Sequence, residues 1–236
     1  MKILSIDLDY VTRYYNSFFV QNMNYSVAEY ANLLWDYCKN EYGEILNDFR
    51  MDVDSFLYIN YIFNKSIINS KKIVFGLYHD AIMHELIGKD DLDIINIDLH
   101  HDIYYSNSQK SSRYSNAITE SNWVWYLYNK NLLKMYTWIN QPVSEMPSGD
   151  FYTDENELKR SFCKRDDFKF DNYDFDLVFV CLSPQYMAPQ HWHYFELLKM
   201  NYLIHRGQAP VVHTKRFMNF DITSNDSGIL NNKYEL

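Results

Sequence analysis

A chain of 236 residues, 47% hydrophobic and 18% aromatic, is too apolar to be disordered, and single cores stop growing only at about 250 to 300 residues. Its formal charge of -9, from 22 basic and 31 acidic residues, argues against a nucleic-acid binder, which shows a basic face; it fits a cationic partner no better than an ordinary solvated acidic surface. Cys38, Cys163 and Cys181 lack a framework spacing and read as reduced packing residues, and the absence of a signal-peptide core or of about 18 consecutive apolar residues leads to an expected cytoplasmic location with no membrane contact.

In chain order, KILSIDL (2–8) reads as a buried strand. SVAEYANLLWDYC opens with Ser26 and Glu29 in a capping-box arrangement, and Tyr30, Leu33, Leu34 and Tyr37 share one face, which predicts a helix. KIVFGLY (72–78) is a second strand, HDAIMHELIGK a short helix ending near Gly88, and DIINIDL (93–99) a third strand. SNSQKSSRYSN (106–116) is polar enough for a loop, KMYTWI (134–139) is a strand, and residues 140–156 form a second loop. DLVFVCLS (176–183) is a strand, APQHWHYFELLKMNYLI a helix with Pro189 near its first turn, and APVVHT (209–214) the last strand. Strands alternating with helices predict an α/β fold with a mostly parallel sheet. No repeat or linker divides the chain, so residues 1–236 read as one domain, with 220–236 as a flexible or lid-like tail.

In open α/β sheets ligands collect beyond the carboxyl ends of the strands, and three strand ends here carry chemistry. SIDLDY supplies Asp7 and Asp9, VFGLYHD supplies His79 and Asp80, and INIDLHHD supplies Asp98, His100, His101 and Asp102. Strand periodicity puts Asp7 with Asp9, and Asp98 with His100, on one side, and Asp102 joins them if the chain bends as it leaves the sheet. Each end alone is weak, because a D-x-D at a strand end is commonly a solvated turn and a lone histidine commonly structural. Together, four carboxylates at one edge repel one another unless a cation offsets them. Oxygen-rich ligation with two imidazoles could hold two divalent metals about 3.5 to 4 Å apart and favours manganese over zinc or calcium.

INIDLHHD resembles the D-x-H-x-D strand end of the arginase and deacetylase-like superfamily, SIDLDY is similar to its S-x-D-x-D strand end, and VFGLYHDA resembles the strand that delivers its remaining histidine. The order departs from ordinary arginases, in which the S-x-D-x-D strand follows the other two, and a circular permutation would explain this. With TESNWVWYL after the metal motif, the permuted order looks like the peptide arginases, which convert arginine side chains of ribosomally made precursor peptides to ornithine. The resemblance implies a three-layer arginase-like fold and two manganese ions. It implies Asp98 and Asp7 as bridging carboxylates, His79 and Asp102 completing one site, and His100 and Asp9 the other. Hydrolysis would give urea and a primary amine, whose departure needs a proton donor. His101, His191 and His193 are the candidates. Glu120, Asn122 and Trp123 lie in the segment that resembles the family's N-W motif and, with Asp80, are the substrate-binding candidates; Trp123 would stack on the guanidinium, or would simply be a core residue of an amphipathic helix.

Three other readings compete. ILSIDLDYV also fits the D-x-D-x-V of haloacid-dehalogenase-type phosphatases, with Asp7 as nucleophile, Asp9 as acid and base and Ser183 on the phosphate, but this leaves DLHHD and His79 without a purpose. A deacetylase-like amide hydrolase could use the same metals, as could a binding protein without catalysis. A zinc protease fails on spacing, because no second histidine follows His84 and Glu85.

Overall fold

The computed structural model describes residues 1–12, 51–103, 118–142, 144, 159–184 and 186–217. Among these residues seven strands form one sheet: β1 (Lys2–Asp7), β2 (Lys72–Gly76), β3 (Leu92–Ile97), β4 (Leu133–Asn140), β5 (Lys159–Lys164), β6 (Leu177–Cys181) and β7 (Val211–His213). Their order is β5-β4-β3-β1-β6-β2-β7, and every neighbouring pair is parallel. The predicted α/β class is therefore correct, and the sheet is parallel throughout.

The central strands are continuous Ile, Val, Leu and Phe runs because both faces are covered. Side-chain alternation separates two cores. Leu4, Ile6, Phe75, Ile97, Val178 and Val180 point to one, which also holds Phe56, Ile59 and Phe63 of α1 (Val53–Asn69) and Phe195 and Leu198 of α4 (His193–Arg206). Ile3, Val74, Ile94, Phe179 and Cys181 point to the other, with Met83 and Leu86 of α2 (Met83–Leu86) and Trp123, Val124 and Leu127 of α3 (Trp123–Asn129). Helices thus flank the sheet on both sides.

All six expected strands are present, and β5 is an addition. KRSFCK is too polar to be read as a strand, but an edge strand needs only backbone pairing on one side and is commonly charged. Helix α1 is also an addition: Asp52 caps it, accepting from the Asp54 amide at 3.3 Å and the Ser55 hydroxyl at 2.9 Å. Its outer face carries Leu57, Tyr61 and Ile68 in the open, which blurs the helical period. The short helix ending near Gly88 and the helix after Pro189 are both found, the latter closing on Gly207 at φ 67°. The helix expected over 26–38, the loop over 106–116, most of the loop over 140–156 and the tail over 220–236 lie outside the described residues. Cys163 and Cys181 are free thiols, half-buried and buried. No helix among the described residues is long and apolar enough to cross a membrane.

Candidate metal centre

Strands β3 and β1 are neighbours, β6 separates β1 from β2, and the exits of all four converge at the carboxyl edge of the sheet. Ser5, Asp7 and Asp9 alternate out of β1, Asn96 and Asp98 out of β3, and Cys181 and Ser183 out of β6, toward the face covered by α2 and α3. Asp9 sits in the 3-10 turn Leu8–Val11, which Asp7 caps by accepting the Asp9 amide at 3.1 Å. His79 opens a second such turn after β2. Gly76 is required below it, because a Cβ there would stand 2.5 Å from the Phe179 ring, which lies parallel to the His79 imidazole at 6.3 Å.

Six sequence-predicted residues meet here. His79 Nδ1 lies 3.2 Å from Asp7 Oδ2, 3.1 Å from Asp98 Oδ2 and 2.7 Å from Asp102 Oδ2. His100 Nδ1 lies 2.7 Å from Asp9 Oδ2 and 4.0 Å from Asp98 Oδ1. Asp98 therefore turns one oxygen to each histidine. Asp7, His79 and Asp98 offer ligand atoms within 4.8 Å of one another, as do Asp9, Asp98 and His100; Asp98 is common to both groups, whereas Asp7, expected to bridge as well, falls in the first alone and Asp102 in neither.

The donor set fits metal. One ring nitrogen carries at most one hydrogen, so His79 can satisfy only one of the three carboxylates around it, whereas a cation among them would attract all three. Electrostatics point the same way. Burial, with Asp7 and Asp98 nearby, raises the Asp9 pKa to about 8, and burial with Asp102 raises that of Asp98 to about 7. For His100 burial works against the charged form, but Asp9 prevails and lifts the pKa to about 10.

Asp102 joins the cluster because the chain does bend: its φ is 51°, a left-handed conformation that a non-glycine residue adopts at a cost of about 1 to 3 kcal/mol. Ser183, leaving β6, has φ 47° and donates its hydroxyl to Asp7 Oδ2 at 2.5 Å. Asp91 and Asn131, away from the cluster, take the same left-handed conformation at φ 48° and 55°, so this backbone is not peculiar to the site.

Around the cluster, other side chains aim it. Ser5 Oγ is 2.7 Å from His79 Nε2, which leaves Nδ1 to face the carboxylates. Asn96 donates to Asp98 Oδ2 at 3.0 Å, and the Tyr136 hydroxyl, 3.2 Å from the same amide, donates to the His101 carbonyl at 2.8 Å. The Trp138 indole N–H donates to the Asp98 carbonyl at 2.9 Å. Substituting Ser5 by Ala frees the His79 ring to turn; we expect divalent-metal affinity to fall about 10- to 100-fold by calorimetric titration. Unchanged affinity would remove Ser5 from the site.

The remaining candidates take positions other than those expected of them. Trp123 is fully buried, gives its indole N–H to Asp102 Oδ2 at 2.6 Å and packs 5.1 Å from His79. It holds a carboxylate and has no exposed face on which a substrate could stack. Asn122 turns back to its own backbone, its Oδ1 accepting the Thr119 amide at 2.7 Å. His101 is buried against Trp138, its Nδ1 accepts the Ile103 amide at 3.1 Å, and burial together with His100 lowers its pKa to about 3. A neutral imidazole so placed makes a poor proton donor. His191 packs near Tyr194, and exposed His193 pairs with the Gln190 carbonyl at 2.8 Å; neither enters the buried cluster. Asp80 Oδ2 accepts the Phe217 amide at 3.0 Å, and Glu120 pairs with Arg216. Burial raises the Asp80 pKa to about 6 and that of Glu120 to about 8, against the pull of Arg216.

Ser5 and Asn96 were within reach of the sequence, since each lies two positions before an expected ligand on the same side of its strand. Ser183 entered only as a phosphate contact. Tyr136, Trp138 and Arg216 gave no signal, because only the sheet order brings them here. No family model, no curated protein and no solved structure matches the chain.

Proposed function

We propose that the chain is a dinuclear metal-dependent hydrolase of the arginase type, permuted in chain order, that converts arginine side chains of a peptide to ornithine with release of urea. The observation that carries the reading is Asp98, whose two oxygens face the His79 group and the His100 group separately. A shared carboxylate between two oxygen-and-imidazole groups suits a pair of divalent ions, and the oxygen-rich set favours manganese. The S-x-D-x-D strand opens the chain yet lies at the middle of the sheet beside β3, as a permutation that keeps sheet positions would have it.

When bound, the ions would supply a lowered pKa for water near neutral pH. The chain's own residues do the rest. Asp7, Asp98, Asp102 and His79 would hold one ion, and Asp9, Asp98 and His100 the other. Ser5, Asn96, Trp123 and Ser183 keep those groups in place. Water oxygen bonds to the guanidinium carbon, the bond from that carbon to the side-chain nitrogen breaks, and the nitrogen takes a proton to leave as the ornithine amine. The negative charge of -9 would assist the approach of a basic peptide.

The test is manganese-loaded protein with free arginine and with an arginine-containing peptide, followed by urea detection and mass spectrometry. A loss of about 42 Da per arginine, the difference between arginine and ornithine, is the expected result. Phosphate released from a generic ester without urea would instead favour the phosphatase reading, and acetate released from acetyl-lysine would favour a deacetylase-like hydrolase. The phosphatase reading gives no task to His79, His100 and Asp102, which meet at the same carboxylates.

A further inference from the structure

A second cluster of acidic residues adjoins the metal centre, and a guanidinium already sits against it. Arg216, three residues beyond β7, places its guanidinium carbon 4.6 Å over the centre of the Tyr78 ring and pairs with Glu120 Oε1 through one terminal nitrogen. The same charge offsets Asp80. Tyr78 and Asp80 flank His79 in the chain, and Glu120 lies three residues before Trp123, which holds Asp102. Glu120 also feels the charges of Asp7 and Asp102.

The pocket is not saturated by its occupant. Asp80 is 1% exposed, yet its Oδ1 accepts no hydrogen bond, and neither does the buried Oε2 of Glu120. A pair built only to fasten the chain would use these oxygens, since each buried acceptor left unmade costs about 1 to 3 kcal/mol. An aromatic face with two carboxylates is a recognition site for an alkylguanidinium.

We propose that Tyr78, Asp80 and Glu120 form the subsite for the substrate guanidinium, and that Arg216 occupies it in the resting chain as an internal plug that an incoming arginine side chain displaces. The substrate named here rests on the arginase reading; the pocket and its plug do not. A plugged pocket binds an external guanidinium more weakly by the fraction of time it is open.

Methylguanidine is the probe, titrated by calorimetry into metal-free and manganese-loaded full-length protein. Arg216→Gln is expected to bind it at least about tenfold more tightly than the parent, as for a pocket open less than about a tenth of the time. Methylguanidine should also raise the melting temperature of that variant and leave the parent's unchanged. Arg216→Lys keeps the charge beside Glu120 but not the planar stack on Tyr78, and it decides the matter if the glutamine variant does not fold. Adding Glu120→Gln to either variant should cancel the gain. A folded variant with no tighter binding, or a gain that survives loss of Glu120, overturns the proposal. Methylguanidine binding without urea release from any peptide would keep the pocket and discard the arginase reading; urea release with no effect of Arg216 would do the reverse.

Discussion

On the proposed reading, Asp98→Ala is expected to abolish metal binding and urea release together, while the metal-free protein stays folded. Asp98 is 1% exposed and is the one carboxylate that belongs to both ligand groups. Its loss should exceed the roughly 100-fold reached when a group that merely supports a ligand is removed. Without metal the change relieves the crowding of Asp98 with Asp7 and Asp102, which works against the loss of its bonds to the Asn96 side chain, the His100 backbone amide and His79. Calorimetric titration with manganese, a urea assay and a thermal melt of the metal-free variant check the three parts. Normal turnover in the variant would sink the assignment of the site.

Withdrawing metal from the loaded protein should lower its melting temperature by about 5 to 10 °C for each ion held at roughly 100 times its Kd. That concentration contributes about 2.7 kcal/mol, and a domain of this size shifts by about 2 to 4 °C per kcal/mol. The size of the shift depends on pH with a definite sign. The folded metal-free chain holds protons on Asp98 up to about 7 and on Asp9 up to about 8, whereas an unfolded aspartate releases them near 3.8. Across that window the folded state binds more protons, so its stability falls as pH rises. His100, raised from 6.5 to about 10 by Asp9 against burial, gives stability fully present below its unfolded value and lost as pH climbs toward 10. Metal replaces these protons, so the gap between loaded and metal-free melting temperatures widens from about pH 6 to about pH 8. A gap that narrows over that range would mean that the metal displaces protons from other groups.

Much of the site was legible because its residues end strands. A carboxylate that terminates an Ile and Leu run has few places to go other than the carboxyl edge of a parallel sheet, and alternation decides which side it takes. Asp7, Asp9, His79, Asp98 and His100 could be gathered on that ground, and Asp102 once a bend was allowed. Trp123 and Asn122 were harder. A tryptophan near a metal motif can stack on a substrate or fill the core, and the choice turns on the Asp102 oxygen 2.6 Å away. His101, between two ligands in the chain, points out of the cluster because its turn sends it against Trp138.

The sequence by itself determined the class of fold, six of the seven strands among the described residues and the strand ends that carry carboxylates and imidazoles, because these depend on periodicities of two and of 3.6 within single segments. Only the tertiary structure decided the order β3-β1-β6-β2, which sets Asp98 between two histidines, brings Ser183 to Asp7 and carries Arg216 onto Tyr78. Those contacts join residues up to 176 positions apart. Their cause is the packing of both cores against the sheet, which no local pattern encodes.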